Sequence, residues 1–323
     1  MRPFRFAVCT GLLLGTLIPA GAGAQSFPAR SVRYIMPLPA GSETDTFARV
    51  LARQLGDGWG QQVIVDNRPG GGMTIGTDFA AKAPADGYTL IQVVTAHAIN
   101  PTLFAKLPYD TLKDFACVTH IGNLYGVLIA HPSVPARNVR ELIALARARP
   151  GKIVYATGPV GNSSHINTEA LRMAAGIDIA PVHYKGGGLA MQDLVPGRVP
   201  LVATVVVEAL PFIRSGRVRP IAITAPKRSP SLPDVPTVGE SLPAYRSGTS
   251  LWALLTRAGT PAAVVNQLSA DAVKAMRATD VRERLAQMDI EPVGSTSAQC
   301  DAFLREQVAV WGKLVKTSGA RAD

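Results

Sequence analysis

The sequence predicts an α/β fold in two lobes, each a mixed sheet flanked by helices, and three observations predict it. Short apolar, β-branched runs alternate with amphipathic stretches, the pattern of sheets with helices packed on their faces. The 323 residues exceed the length at which one hydrophobic core usually splits into two. Strand-like runs also pass repeatedly into Gly-rich turns that open helices, at places far apart in the chain.

The chain begins Met1-Arg2-Pro3-Phe4-Arg5, continues through an apolar run from Phe6 to Ile18, and reaches Ala22-Gly23-Ala24. A charged start, a short apolar core and small residues at the exit predict a cleaved secretory signal over residues 1–24. Removing 24 of the 323 residues leaves 299. Cys9 lies inside the apolar run instead of after the cleavage point, which argues against lipid attachment. No later run approaches the roughly 18 to 20 apolar residues that span a bilayer, so the mature protein is expected to be exported and soluble.

Strands are expected at Val32 to Met36, Val63 to Val65, Thr89 to Val94, Val127 to Ala130, Ile153 to Ala156, Val182 to Tyr184, Leu201 to Val206, Ile221 to Thr224 and Leu251 to Leu255. Helices are expected at Thr44 to Leu55, where Phe47, Val50, Leu51 and Leu55 share a stripe, and at Val139 to Ala148, Ser163 to Ala175, Ala262 to Ala278 and Ala298 to Lys316. The chain is expected to leave the first lobe at Ile121 to Tyr125 and to return through the Pro- and Ser-rich stretch from Pro230 to Ser250. That makes residues 25–123 plus 250–323 a discontinuous first lobe and 124–249 the second. Ligands of open α/β sheets bind beyond the carboxyl ends of the strands, so the expected site is the cleft between the lobes.

Charge and cysteines bound the function classes. The formal charge is +10, but Arg137, Arg140, Arg147, Arg149, Arg214, Arg217 and Arg219 are scattered without aromatic interleaving. They read as solvated faces biased toward anions, and no nucleic-acid partner is expected. Cys117 and Cys300, the thiols outside the signal segment, are read as buried and free, with a disulfide open to them in an oxidising compartment.

Three turns carry the candidate chemistry. The first is Pro39-Ala40-Gly41-Ser42-Glu43-Thr44-Asp45, where a strand enters a helix start. There the first N–H groups lack intrahelical partners and the macrodipole is positive, so a carboxylate or phosphate can dock on backbone donors. Gly41 admits close approach, Ser42 or Thr44 can cap, and Asp45 is read as orienting the loop. Thr157-Gly158-Pro159-Val160-Gly161-Asn162-Ser163-Ser164-His165 repeats that logic in the second lobe, and His183-Tyr184-Lys185-Gly186-Gly187-Gly188 ends a strand in a donor-rich turn.

These residues resemble a known family. The runs Pro39 to Asp45, Asp66-Asn67-Arg68-Pro69-Gly70-Gly71-Gly72, Pro84-Ala85-Asp86-Gly87-Tyr88-Thr89-Leu90, Asn100-Pro101, Leu107-Pro108-Tyr109-Asp110 and Lys113-Asp114-Phe115 look like those of the Bug family, the TctC-like receptors of tripartite tricarboxylate transporters. Pro150-Gly151-Lys152, His183 to Gly186, Leu232-Pro233-Asp234-Val235-Pro236-Thr237 and Gly259-Thr260-Pro261 continue the match in order over essentially the whole mature chain. The resemblance implies a monomeric periplasmic binding protein of Venus-flytrap form that captures a small carboxylated solute. Its partners would be membrane transporter subunits or, alternatively, a sensor kinase.

Carried over by position, the ligand-binding residues are Gly41, Ser42, Glu43, Thr44 and Asp45 of the first turn. Thr157, Gly158, Asn162, Ser163 and His165 follow from the second, Tyr184, Lys185 and Gly186 from the third, and Ala96 and His97 from the turn after the third strand. The chain departs from the family at Ser42 and Glu43. Glu43 is read as facing solvent, with selection of an amine-bearing or cationic solute as the alternative, because a carboxylate in the cradle repels an anion. The family often has Asp after Gly-x-Val, whereas Gly197-Arg198-Val199 is followed by Pro200. Thr204, further in, takes that position, which argues against amine recognition from the second lobe.

Other chemistries fit less well. His97, His120, His131, His165 and His183 lack metal-ligand spacing, and no cofactor is expected. Ser163, Ser164 and His165 are adjacent, but a nucleophilic serine needs a base brought from elsewhere and the G-x-S-x-G elbow is missing. Lys185 lacks the supporting groups of a Schiff-base lysine. The chain is read as a receptor and not as an enzyme.

Overall fold

Phe47, Ala48, Leu51, Ala52 and Leu55 recur at helical spacing and are all buried, so one face of the first helix is driven onto a sheet. The computed structural model describes residues 27–322; the signal segment expected over residues 1–24 lies outside the described residues.

In chain order the first sheet opens with β1 (Val32–Met36), α1 (Glu43–Trp59), β2 (Val63–Asn67), α2 (Thr74–Ala81), β3 (Thr89–Val94), α3 (Ala96–Leu103) and β4 (Phe115–Leu124). The second sheet follows, with β5 (Gly126–Ala130), α4 (Val139–Ala148), β6 (Ile153–Thr157), α5 (Ser163–Ala175), β7 (Ile179–His183), α6 (Gly187–Leu194), β8 (Leu201–Val205), α7 (Val206–Arg214), β9 (Arg219–Ile223) and α8 (Val238–Ser241). The chain then returns through β10 (Ser250–Arg257), α9 (Ala262–Ala275), α10 (Thr279–Gln287), β11 (Glu291–Pro292) and α11 (Ser297–Ser318).

The strand orders are β11-β4-β10-β3-β1-β2 and β7-β6-β8-β5-β9. Both sheets are mixed. β1 runs parallel to β2 and β3 while β10 is antiparallel to β3 and β4. In the second sheet β6 is parallel to β7 and β8, and β5 is antiparallel to β8 and β9. Each sheet carries separate apolar clusters on its two faces. A fifth cluster joins the lobes: Ile99 and Leu103 of α3 and Trp311, Leu314 and Val315 of α11 pack with Ile166 of α5. Among the described residues no helix is long and apolar enough to cross a membrane.

Several elements differ from expectation. Residues 121–124, expected to lead out of the first lobe, complete β4, and Tyr125 is the single residue between β4 and β5. β4 is hidden in the sequence because Thr119, His120 and Asn123 interrupt its apolar pattern. Their side chains are met in different ways: Thr119 Oγ1 donates to Ser295 O at 2.8 Å and Asn123 Nδ2 donates to Glu291 Oε2 at 3.4 Å, while His120 Nε2 lies 3.2 Å from Gly122 O within the strand. β7 spans Ile179–His183, earlier than the expected Val182 to Tyr184, and tolerates Pro181 as an edge strand of its sheet. The helix expected from Ala262 to Ala278 ends at Ala275, and a further helix that was not expected, α10, begins at Thr279 after Ala278 turns extended, with φ −60° and ψ 144°.

Cys117 on β4 and Cys300 on α11 are not free thiols; they form a disulfide, with Cα atoms 5.7 Å apart. Both are buried. The packing of α11 on β4 brings together residues 183 positions apart, which spacing along the chain cannot reveal.

Candidate functional site

The strand directions decide where the site lies. The carboxyl ends of β1, β3 and β4 share one edge of the first sheet, because each is antiparallel to β10 or parallel to a strand that is. The carboxyl ends of β6, β7, β8 and β9 share an edge of the second sheet with the start of β5. Since β4 passes into β5 through Tyr125 alone, both of these edges adjoin the same crossing. The return segment adjoins it too: Gly248 N donates to Asn167 Oδ1 at 3.1 Å, and Trp311 Nε1 donates to Thr249 O at 3.3 Å.

The first turn is organised by Asp45. One carboxylate oxygen accepts from Gly41 N at 2.9 Å and from Arg49 Nε at 3.0 Å, and the other accepts from Asn67 Nδ2 at 2.8 Å. Desolvation pushes the Asp45 carboxyl up, but the bonds from Arg49, Gly41 and Asn67 and the Arg49 charge outweigh it and hold the group below its ordinary range. Ser42 is the N-cap, its Oγ accepting from Asp45 N at 3.2 Å. Gly41 supplies the positive φ of 79° that the turn needs. The N–H groups of Glu43 and Thr44 therefore face outward at the positive end of a 17-residue helix, without a partner among the described residues. Asp45 itself is buried and fully engaged within the turn.

The second turn has the same build. Asn162 caps α5, its Oδ1 accepting from His165 N at 2.7 Å, which leaves the Ser163 and Ser164 N–H groups at the helix start. Gly161 N donates to His165 Nδ1 at 3.1 Å, so the ring proton of neutral His165 sits on Nε2. Burial pushes the His165 pKa down to about 4, helped by His183, whose ring centroid is 4.7 Å away. His165 is thus a neutral N–H donor at physiological pH. Gly158 O lies 3.0 Å from His183 Nδ1, and Thr157 is buried with its hydroxyl unpartnered.

The third turn is arranged differently from expectation. Tyr184 directs its hydroxyl to Asp193 Oδ2 at 2.8 Å, away from the turn, while its backbone N–H bonds Thr157 O at 2.9 Å. Lys185 is exposed, and Gly186 starts α6 with φ 178°, which any residue can adopt. Thr204 is buried and donates its hydroxyl to Glu208. Glu208, which sequence reasoning did not single out, stands against Gly187 at the start of α6. A carboxylate from the second lobe is therefore present at this edge, contrary to the reading of Thr204 as its replacement. Its only signal is the i, i+4 spacing to Thr204 across the junction of β8 and α7, and α7 was not among the expected helices.

His97 is also misplaced by sequence. Ala96 is partly exposed at the start of α3, but the His97 ring is 4% exposed and packs inward between Tyr109 and Phe115, with centroids 6.2 and 5.3 Å away. Burial pushes its pKa down to about 4. The first turn of a helix alternates faces, and here the apolar face claims the imidazole. Among the described residues no group of His, Cys, Asp and Glu is arranged to hold a metal.

Together the starts of α1 and α5 offer four backbone N–H groups and the His165 Nε2–H, a donor set suited to a carboxylate. The family model described as tripartite tricarboxylate transporter family receptor matches residues 47–320. The protein BugT of Bordetella pertussis is 34% identical over 324 residues, covering 99% of each chain. Among solved structures, R. palustris Rpa4515 with adipate is 32% identical, with a TM-score of 0.79 over 91% of this chain and 99% of that one. MatC from Rhodopseudomonas palustris with bound malate is 30% identical, with a TM-score of 0.75 over 90% of this chain and 100% of that one.

Proposed function

The chain belongs to the Bug-type family of tripartite tricarboxylate transporter receptors, a family of solute-binding receptors and not of enzymes, and from that premise we propose that it captures a small carboxylated solute in the periplasm and presents it to membrane transporter subunits. The observation that carries this reading is the pair of capped helix starts, α1 in one lobe and α5 in the other, beyond strand ends that adjoin one crossing. Relatives that hold adipate and malate support a carboxylate as the solute. Residues Gly41 to Thr44, Thr157 to His165 and Gly186 would form its contacts, with Asp45 holding the first turn in shape.

Each lobe would supply part of the hydrogen bonds, so a ligand binds the closed arrangement better than the open one and shifts the population toward it. The closed form is then what a transporter subunit recognises. A micromolar dissociation constant corresponds to about −8 kcal/mol. Several charge-assisted bonds at roughly 1.5 to 3 kcal/mol each, less the ordering costs, are enough to reach it.

Native mass spectrometry of the purified mature protein, followed by a thermal-shift screen of carboxylates, tests the reading. A retained carboxylate, or a melting temperature that rises with carboxylate concentration, is the expected result. No bound mass and no shift across mono-, di- and amino-carboxylates would overturn it.

A further inference from the structure

The turn that opens α5 leans on the other lobe. Gly161 is buried and has a φ of 79°, which suits only a residue without a side chain. A Cβ built on it would stand 2.3 Å from Leu103 Cδ2, 2.8 Å from Cδ1 and 3.1 Å from Cγ, so the Leu103 isobutyl group fills the space that a side chain at 161 would need. Leu103 is the last residue of α3 and is buried. It packs with Trp311, Leu314 and Val315 of α11 and with Ile166 of α5. Its carbonyl accepts from Ala322 N at 3.0 Å, and Phe104 beside it bridges to Ala322. Leu103 is thereby held by its backbone and by its side chain, and the Gly161 backbone rests on a fixed surface.

What Gly161 does with that support is chemical. Its N–H donates to His165 Nδ1 at 3.1 Å. In a neutral imidazole, a hydrogen bond accepted by one nitrogen keeps the proton on the other. The same bond ties the ring to its turn, beside the Asn162 cap that accepts from His165 N at 2.7 Å. His165 is buried, yet its Nε2 forms no hydrogen bond among the described residues and is not sealed from open space. Cutting back the Leu103 side chain would leave one side of the Gly161 backbone without contact. Dispersion falls steeply across such a gap, and the N–H would be free to swing off Nδ1, where a hydrogen bond weakens quickly with angle.

We propose that Leu103 is a positioning residue for the second turn: from the first lobe it seats the Gly161 backbone, and so keeps the His165 ring in the Nε2–H form that donates to a solute carboxylate. The proposal rests on the receptor reading for what His165 binds, and on the Leu103, Gly161 and His165 geometry alone for how the ring is held. It makes a donor of one lobe depend on contact with the other. The α5 start is then fully arranged only while α3 lies against it, which couples the arrangement of the lobes to affinity through a residue that touches no solute.

Two-bond proton–nitrogen NMR spectra of the histidine rings, recorded on the mature protein at neutral pH without added solute, read the tautomer directly. His165, assigned by its loss in His165→Gln, is expected as the Nε2–H form in the wild type. Leu103→Ala should move its ring nitrogens toward a mixture of tautomers. In calorimetry it should weaken adipate or malate, whichever the wild type binds, by about three- to thirtyfold. Leu103→Met, which restores the bulk, should return both readouts toward the wild type, and Leu103→Val replaces the alanine variant if that one does not fold. Leu142→Ala, cut into the buried core beneath α4, controls for lost stability: urea unfolding should record a loss, with ring signals and affinity unchanged. A wild-type ring in the Nδ1–H form, either readout unchanged in Leu103→Ala, or the same changes in Leu142→Ala overturns the proposal and leaves the receptor reading standing. A wild type that binds neither acid, together with a blank carboxylate screen, overturns the receptor reading, and the ring spectra then decide by themselves whether Leu103 holds the tautomer.

Discussion

Asp45 spends its carboxylate inside the turn it shapes, and that makes it a stability residue with an indirect hold on the site. Replacement by Asn leaves one acceptor oxygen for the Gly41, Arg49 and Asn67 donors and turns an amide N–H₂ toward them. Asp45→Asn is expected to cost about 1.5 to 3 kcal/mol, the range for hydrogen bonds to a charged group, read from urea unfolding. Because the folded-state pKa is depressed below 3.8, the contribution is complete above the unfolded pKa and is lost as pH falls through the folded one. The gap between wild type and variant should therefore be constant above about pH 5 and close on acidification. Gly186 gives a cleaner test of ligand approach than Gly41. At Gly41 the φ of 79° strains any side chain, so a valine there mixes strain with obstruction. At Gly186 the backbone is extended and a Cβ meets nothing within 4 Å. Gly186→Ala is expected to keep stability within about 0.5 kcal/mol and to weaken carboxylate binding in calorimetry; unchanged affinity would remove the third turn from the site. At this scale sequence located the capping residues Ser42 and Asn162, whose chemistry is local, but not the burial of His97 or the arrival of Glu208, which depend on distant neighbours.

Helices whose caps and apolar stripes are written locally were the most legible elements. Val139 to Ala148 and Ser163 to Ala175 have the bounds that their spacing predicts. Among strands, β1 and β3 are equally plain, while β4 is obscured because polar positions such as Thr119 and Asn123 find partners far along the chain, in Ser295 and Glu291. The tie between β4 and α11 also yields a prediction. The Cys117–Cys300 disulfide closes a span of 183 residues, and restricting so long a loop in the unfolded chain commonly stabilises by about 2 to 4 kcal/mol. The Cys117→Ser, Cys300→Ser double variant should lose about that amount in urea unfolding under oxidising conditions. Reductant should lower the wild type to the variant's midpoint and leave the variant unaffected; a wild type insensitive to full reduction would show that the cross-link contributes nothing.

For the whole molecule, binding between lobes couples stability and shape. A carboxylate present at a hundred times its dissociation constant should add about 2.7 kcal/mol and raise the melting temperature by several degrees. If the lobes close on it, small-angle scattering should record a smaller radius of gyration in the same sample; stabilisation without compaction would place the ligand on one lobe alone. The clamp on the return segment, where Trp311 and Asn167 hold residues 248 and 249, and the Ile166 contact with α3 and α11 keep the two strand-end edges together on one side. The sequence by itself determined the α/β class, two mixed sheets and the Gly-rich turns at strand ends, because hydrophobic period, capping and turn chemistry act over a few residues. Only the tertiary structure decided the pairing of Cys117 with Cys300, the inward turn of His97 and the placing of Glu208 against Gly187. Those outcomes depend on which elements pack against which, and that is set by strand order and burial across the whole chain.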